Sequence, residues 1–194
     1  SAELFIALAK YSVTVIVGLL FMIFCVYPLI LSVFTKVKYL DFFKGISPAQ
    51  MLAFSTSSSA ATLPVTMDRC EEHIGVSKEV SSFVLPLGAT INMDGTSLYQ
   101  AVAAVFIAQA FSIDLDMGQQ LTIVLTATLA SIGSAAVPGA GMVMLVIVLG
   151  AIGVPTEGLA LIFGVDRLLD MLRTVVNVTG DAMVSLIISK FQKS

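Results

Sequence analysis

The sequence has 194 residues, of which 57% are hydrophobic and only 12% are charged, and its mean hydropathy is +0.99. A soluble domain has about 25% charged residues, so this composition predicts a protein of the lipid bilayer. The formal net charge of −3 argues against a nucleic-acid binder, and two cysteines are too few for a disulfide scaffold. No signal-peptide pattern is visible, and a first residue other than Met leads us to expect a piece of a longer chain.

Uncharged segments divide the chain in order. Residues 11–35 carry no charge and are long enough for a tilted helix across a hydrocarbon core of about 30 Å, so we predict a long transmembrane helix over residues 1–40. Two later uncharged segments, 46–67 and 119–156, are interrupted by Pro, Gly and Ser. An apolar segment with several charges predicts a last helix over residues 157–192.

The two interrupted segments predict re-entrant helical hairpins at residues 46–70 and 118–154. Splitting the first at its serines leaves arms of about 8–10 residues, which as helices reach only about 12–15 Å, and splitting the second leaves arms of about 12 residues. Both tips place small residues before a proline, at 59–64 and 134–138. A matched pair of interrupted segments is typical of transporters built from inverted repeats. Two kinked helices that cross the bilayer completely are the alternative.

Loop charges indicate an orientation. The lysines after the first helix and at the chain end, Lys36, Lys38, Lys44, Lys190 and Lys193, fall on one face if both hairpins are re-entrant. The positive-inside rule then makes this face cytoplasmic, in a multi-pass protein of the cell (plasma or inner) membrane. Counting both hairpins as full spans also keeps the lysines together, so the charges support the topology without deciding it.

A break is predicted in the helix over residues 78–112. Asn92, Asp94 and Gly95 are poor helix formers in the middle of an apolar segment, and Asn and Asp side chains compete for nearby backbone groups. We predict an unwound motif at 92–96 whose carbonyls face a coupling ion. An ordinary helix kink with one buried Asp is the alternative.

A polar stripe runs along the last predicted helix. Asp166, Asp170, Arg173, Asn177 and Asp181 are spaced by four, three, four and four residues and therefore share one helix face. Ionisable groups in a membrane segment are costly and usually functional. For Asp166 and Arg167, near the helix start, we favour a structural Asp–Arg pair that holds helices together. For the other four we favour a binding site, because the acids outnumber the one arginine of the stripe.

The residue types of the stripe indicate what could bind to it. The planar guanidinium of Arg173 suits a carboxylate, and Asp170, one turn earlier, suits an ammonium group. Together they predict an amino acid with an additional acidic group. The oxygens of Asn177 and Asp181 suit a hard cation, and the sequence has no His/Cys cluster for zinc or iron.

Four motifs carry a resemblance to a known family: SSAATLP at 58–64, NMDGT at 92–96, SIGSAAVPGAG at 131–141, and DMLRTVVN at 170–177 followed by Asp181. They resemble the sodium-coupled glutamate/aspartate transporters, archaeal and bacterial members especially. The resemblance covers nearly the whole chain but only about the C-terminal half of a family member. It implies an all-α membrane protein whose residues 1–194 form a single transport domain. This domain would contain a long transmembrane helix, two re-entrant hairpins, a broken helix and a polar-striped last helix. The scaffold domain that makes the family's homotrimer would be absent from this chain.

The resemblance implies a site for L-aspartate or L-glutamate. Arg173, with Thr96, would hold the side-chain carboxylate of the substrate, and Asp170, beside Thr174, would hold its ammonium group. Its main-chain carboxylate would be held by Ser58, Ser59, Val137 and Asn177.

Sodium ions are the implied co-substrates. One ion would be held by carbonyls and a carboxylate from Gly88, Asn92, Asn177 and Asp181. Another would involve Asn92 and Asp94 but lacks its further partners in this chain.

A remaining sodium would depend on the second hairpin. It would use carbonyls of Thr90, Ser131, Ile132 and Ser134, so it would form only when this hairpin closes. The implied mechanism is alternating access by an elevator-like movement, with residues 131–141 as the gate.

Departures from the family pattern are also informative. The third serine of the first tip is Ala60, and neither Ser57 nor Met171 is the arginine that family members place at one of these two positions. Position 100 is Gln, where the proton-carrying eukaryotic members have Glu. We therefore expect sodium coupling without proton or potassium counter-transport.

Other functions are weaker alternatives. A dicarboxylate symporter of the same family would need no ammonium acceptor, so Asp170 argues against it. An intramembrane aspartyl protease would carry a Gly-x-Gly-Asp signature, and a rhomboid-like protease an intramembrane His; the sequence has neither. We therefore expect no enzyme, and an isolated channel-forming or scaffold fragment remains the last alternative.

Overall fold

The computed structural model describes residues 2–192, and Ser1, Lys193 and Ser194 of the predicted domain lie outside them. The described chain consists of helices joined by short connections, with no β-strand between residues 2 and 192. The all-helical class expected from the sequence is therefore confirmed.

The first helical stretch contains an irregular turn. Helix α1 (Ala2–Phe21) continues into a π-helical turn (Met22–Val26) and then into α2 (Tyr27–Phe34). Within the described residues, Ala2–Phe34 is the one helix with both the length and the hydropathy to cross a membrane. A transmembrane helix of this kind was expected here; its π-helical turn was not.

This helix ends earlier than the predicted range 1–40. Thr35 is extended, with φ −142° and ψ 166°, and its hydroxyl accepts a hydrogen bond of 3.2 Å from the Val37 N–H. Such local side-chain bonds compete with helical hydrogen bonding, which explains the early end.

Two antiparallel helices form the first hairpin. Helices α3 (Tyr39–Thr56) and α4 (Ser59–Glu72) pack together, and Arg69 Nε donates to the Gly45 carbonyl at 2.7 Å, near the open end of the pair. Residues 57–58, the first tip, connect them.

The helices of this hairpin are longer than predicted. They have 18 and 14 residues, and the hairpin begins and ends outside the predicted range 46–70. The predicted arms counted only uncharged residues. The charged residues at both open ends continue the helices, because Lys, Glu and Arg are good helix formers.

The third apolar segment is a broken helix. Helix α5 (Lys78–Ile91) stops, residues 92–93 are non-helical, and α6 (Asp94–Ala110) follows. The interruption is shorter than the unwound motif predicted at 92–96, and the helix ends two residues before the end of the predicted range 78–112. Helix α6 resumes at Asp94 because neighbouring groups hold its first turn, as described below.

The second hairpin is also antiparallel. Helices α7 (Met117–Ile132) and α8 (Ala140–Ile152) pack together, and Gln119 Nε2 donates to the Ile152 carbonyl at their open end. Residues 133–139, the second tip, connect them and include Gly139, whose φ of +79° favours glycine.

The predicted boundaries of the last two elements are close to the observed ones. The hairpin predicted at 118–154 starts and ends within two residues of its helices. A short 3₁₀ turn (Thr156–Gly158) precedes the last helix, α9 (Leu159–Gln192), which was predicted at 157–192.

Helix α9 lies at the centre of the molecule. It packs against α1 and α3 to α6, and its face from Arg173 to Ser189 is almost completely buried. Large apolar side chains lie outside instead, including Phe5 and Phe163, which are 75% and 73% exposed. Because the polar face of α9 is inside and many large apolar side chains are outside, this distribution suits a lipid environment.

Candidate functional site

The two hairpin tips touch each other beside the middle of α9. The Ser58 hydroxyl donates to the Ala136 carbonyl at 2.7 Å, and the Ala60 N–H donates to the same carbonyl at 3.4 Å. Ser58 also caps α4 by accepting from the Ala61 N–H. The first tip is thereby fixed to the second.

A small crevice remains between the tips, the helix break and α9. Its volume is about 20 Å³, little more than the space for one water molecule. It is lined by Ser57, Ser59, Met93, Thr96, Ser134, Ala135, Ala136, Val137, Gly141, Asp170, Thr174 and Asn177. Six of the eight predicted substrate residues are in this lining.

The other two predicted substrate residues adjoin the crevice. Ser58 bonds to Ala136 in its wall, and Arg173 lies directly behind Gly141, where an added Cβ would be 3.7 Å from the guanidinium carbon. The structure therefore brings all eight substrate residues together, although their roles stay predictions.

Arg173 is completely buried and has three partners. Its guanidinium lies 3.1 Å from Asp166 Oδ1 and 3.0 Å from Asp170 Oδ1. The guanidinium carbon is also 3.6 Å from the ring centre of Tyr99, a cation–π contact. Asp166 therefore forms an ion pair, as the sequence predicted, and its partner is the arginine of the stripe.

The Arg173–Asp170 pair is not isolated from the crevice. Asp170 Oδ2 accepts a 2.9 Å hydrogen bond from the N–H of Gly139 in the second tip. Arg173 Nε is buried and has no hydrogen-bond acceptor in the described part of the chain, and NH2 has only the ion-pair contact with Asp170 Oδ1. Unpaired buried donors are unfavourable, so a further anionic acceptor at this guanidinium would be stabilising.

Asn177 holds the start of α6 against α9. Its Oδ1 accepts from the Gly95 N–H at 2.8 Å, and its Nδ2 donates to the Thr96 hydroxyl at 3.0 Å. A Cβ at Gly95 would come within 2.7 Å of the Arg173 carbonyl, so glycine permits the close approach. This contact positions the broken helix beside the crevice.

An oxygen-rich cluster lies deeper along α9. The buried Asp181 accepts from Asn92 Nδ2 at 2.9 Å, and a Cβ at Gly88 would meet Asp181 Oδ1 at 2.7 Å. Three of the four residues predicted for one sodium ion are therefore neighbours, and the contact from Asn92 is made by its side chain and not by the predicted carbonyl. Carboxylate, amide and carbonyl oxygens are suitable ligands for a hard cation. Among the described residues, no three His, Cys, Asp or Glu side chains form a metal-binding group.

The residues predicted for the sodium ion that depends on the second hairpin do not all lie close together. Ser131, Ile132 and Ser134 lie together at the second tip, and the Ser134 N–H donates to the Ser131 carbonyl at 3.1 Å. Thr90 is exposed, and its hydroxyl bonds to the Leu87 carbonyl of its own helix. Helices α5 and α7 touch, but no described hydrogen bond joins Thr90 to this tip.

Several site residues were not predicted. Tyr99 lies beneath the arginine, and Tyr27 donates to Asp94 Oδ2 at 2.9 Å. Gln100, noted only for its lack of charge, donates from Nε2 to the Gly141 carbonyl at 3.0 Å. The one feature of the sequence that could have placed Tyr99 and Gln100 near the site is their position shortly after the NMDGT motif.

Comparison with known proteins assigns the family. The model of the sodium:dicarboxylate symporter family matches residues 1–191. The chain belongs to this family.

Three curated relatives illustrate the similarity. Excitatory amino acid transporter 2 of Homo sapiens is 51% identical over 187 residues, and excitatory amino acid transporter 1 of Rattus norvegicus is 53% identical over 176. Excitatory amino acid transporter 3 of Oryctolagus cuniculus is 52% identical over 191 residues. The alignments cover 96%, 91% and 98% of this chain but 33%, 32% and 36% of the relatives. The chain therefore spans about a third of the length of these relatives. All three are animal proteins, whereas the sequence motifs resemble archaeal and bacterial members especially.

Replacing Gly88 tests the sodium cluster. We expect Gly88→Ala to displace the Asp181 carboxylate, because the new methyl group would lie 2.7 Å from Oδ1. Sodium-dependent stabilisation, measured as the rise in Tm with sodium concentration, should fall. The free energy of unfolding should also fall, by about 1–3 kcal/mol. Gly150→Ala is the control, since nothing lies within 4 Å of its new Cβ; an equal response of both variants would contradict the prediction.

Replacing Asp166 tests the arginine's support. We expect Asp166→Asn to remove a charged partner of the buried guanidinium and lower the free energy of unfolding by about 3–5 kcal/mol. The measurement is thermal or denaturant unfolding in detergent. Asp114→Asn, in the loop before α7, is the control. Wild-type stability of Asp166→Asn would show that Asp170 alone compensates the charge.

Proposed function

We propose that this chain is the substrate- and ion-binding part of a sodium-coupled symporter for an acidic amino acid, aspartate or glutamate, in the cell membrane. The observation that carries the proposal is the Arg173–Asp170 pair, buried behind the crevice where the hairpin tips meet. The named relatives are transporters of excitatory amino acids, which agrees with this assignment and with a non-enzymatic function.

The pair gives the crevice its selectivity. A substrate side-chain carboxylate would accept hydrogen bonds from Arg173, whose buried Nε has no acceptor among the described residues. The substrate ammonium group would take the place of the Gly139 N–H at Asp170 Oδ2. Its main-chain carboxylate would bind between Asn177 and the backbone of the two tips. The substrate thus replaces contacts that the protein makes with itself.

Substrate entry requires the second tip to move. The present crevice of about 20 Å³ is too small for an amino acid. Four described hydrogen bonds join residues 133–141 to the first hairpin, to α6 and to α9: two donated by Ser58 and Ala60, one donated by Gln100 and one accepted by Asp170. We infer that this segment is the gate and that both hairpins are re-entrant, because their tips meet at the buried middle of α9.

Coupling follows from shared elements. Asn177 contacts the crevice, and the α6 start that it holds adjoins the Asn92–Asp181 cluster. Sodium binding at this cluster would fix the geometry that the substrate needs, and linkage requires the substrate to strengthen sodium binding equally. Movement across the membrane would be elevator-like, against a scaffold domain in a homotrimer.

A dicarboxylate symporter is the second candidate, because the family description names dicarboxylates. Such a substrate would leave Asp170 facing a second carboxylate. We therefore favour the amino acid.

Removing the guanidinium tests the substrate assignment. In the full-length protein, isothermal titration should show L-aspartate binding that requires sodium. Arg173→Ala should weaken this binding roughly 10- to 100-fold and abolish the preference for acidic over neutral amino acids. The exposed Arg167→Ala, on the same helix, is the control. Sodium-independent binding would refute the coupling, and succinate binding equal to aspartate binding would favour the dicarboxylate function.

Position 100 tests the ion coupling. We expect uptake of aspartate into proteoliposomes without proton movement. The Gln100 amide donates a hydrogen bond to the Gly141 carbonyl, and an amide does not bind or release a proton at neutral pH. A pH-sensitive dye inside the vesicles provides the measurement. In Gln100→Glu, only a protonated side chain could make this bond, so substrate-dependent proton movement should appear. Proton movement by the unchanged protein would refute the prediction.

A further inference from the structure

The π-helical turn in the first helix has a specific consequence for Tyr27. The Tyr27 N–H donates to the Met22 carbonyl, five residues earlier, where an α-helix would use a carbonyl four residues earlier. Pro28 follows and has no N–H to donate, which favours an irregular turn at this point. Single π turns are rare and frequently mark functional sites. The turn changes the direction in which the Tyr27 side chain leaves the helix.

Tyr27 reaches two other elements from this position. The residue is completely buried, and its hydroxyl lies 2.9 Å from Asp94 Oδ2 and 3.2 Å from the Val176 carbonyl. Asp94 is the first residue after the helix break, and Val176 is in the centre of α9. The hydroxyl proton can serve one of these acceptors at a time, and Asp94 is the closer and the charged one.

The same hydroxyl borders the oxygen-rich cluster. A Cβ at Gly180 would lie 2.9 Å from the Tyr27 hydroxyl, 3.0 Å from Asn92 Nδ2 and 3.4 Å from Asp94 Oδ2. All three groups therefore converge over one bare position of α9, next to Asp181. Asn92 continues the chain of contacts by donating to the Asp181 carboxylate at 2.9 Å.

We propose that Tyr27 is a positioning residue for sodium: its hydroxyl fixes the direction of the Asp94 carboxylate at the helix break and thereby sets the affinity of the Asn92–Asp94 region for the ion. This inference rests on the proposed function. Nothing else in the described residues hydrogen-bonds the Asp94 carboxylate, so without the hydroxyl the carboxylate would turn away from its present direction. The long first helix would then be part of the ion site through one side chain.

The test is Tyr27→Phe in the full-length protein, with sodium as the probe and no substrate present. Phenylalanine keeps the ring, so core packing is retained. We expect the sodium concentration for half-maximal stabilisation, measured from Tm, to rise about three- to tenfold. Tyr39→Phe is the matched control, because its buried hydroxyl has no hydrogen-bond partner among the described residues.

A double-mutant cycle tests whether Tyr27 affects sodium affinity through Asp94 or independently of it. In an Asp94→Asn background, Tyr27→Phe should cause little further loss of sodium affinity, because the group on which it acts has been replaced. Unchanged or tighter sodium binding in Tyr27→Phe would overturn the inference, as would losses that simply add in the double mutant. If the unchanged protein itself shows no response to sodium, both the proposed symport function and the inference about Tyr27 fail.

Discussion

The organisation of this protein depends on one buried positive charge. The Arg173 guanidinium has no exposed surface, and its burial is tolerated because Asp166, Asp170 and the Tyr99 ring surround it. Desolvating such a group costs several kcal/mol, and removing one partner of a buried pair is more damaging than replacing the whole pair. This requirement fixes where α6, the second hairpin and α9 can lie relative to each other. A substrate carboxylate would enter an arrangement that already compensates the charge.

Around this centre, interrupted helices supply the polar groups that continuous helices could not. The first tip, the second tip and the break at residues 92–93 all leave backbone groups free of helical hydrogen bonding. Three such groups contact another interruption or a polar side chain of α9: the Ala136 carbonyl accepts from Ser58, the Gly139 N–H donates to Asp170 and the Gly95 N–H donates to Asn177. Such contacts are required of irregular backbone wherever it lies inside a membrane. The fold and the site therefore have the same physical origin.

Much of this could be read from the sequence, and the exceptions have clear causes. The helix break and the polar stripe were predictable because poor helix formers and charges are conspicuous in an apolar segment. Helix ends were not, since charged helix formers extend α3 and α4 beyond their apolar parts. The partner of Asp166 was not predicted, because helical spacing shows which residues share a face but not which long side chain reaches back two turns. Tyr27 was missed because Pro28 beside it favours an irregular turn but gives no sign of the distant partner, Asp94.

The bond between the two tips is chemically asymmetric. On one side the acceptor is the main-chain carbonyl of Ala136, and on the other the closer donor is the side-chain hydroxyl of Ser58. Evolution can exchange the residue at position 136 without deleting that acceptor, because every amino acid has a carbonyl. The hydroxyl, in contrast, depends on the identity of residue 58 and is lost in most replacements. Replacements at position 136 therefore keep the acceptor of this bond, whereas most replacements at position 58 remove its closer donor.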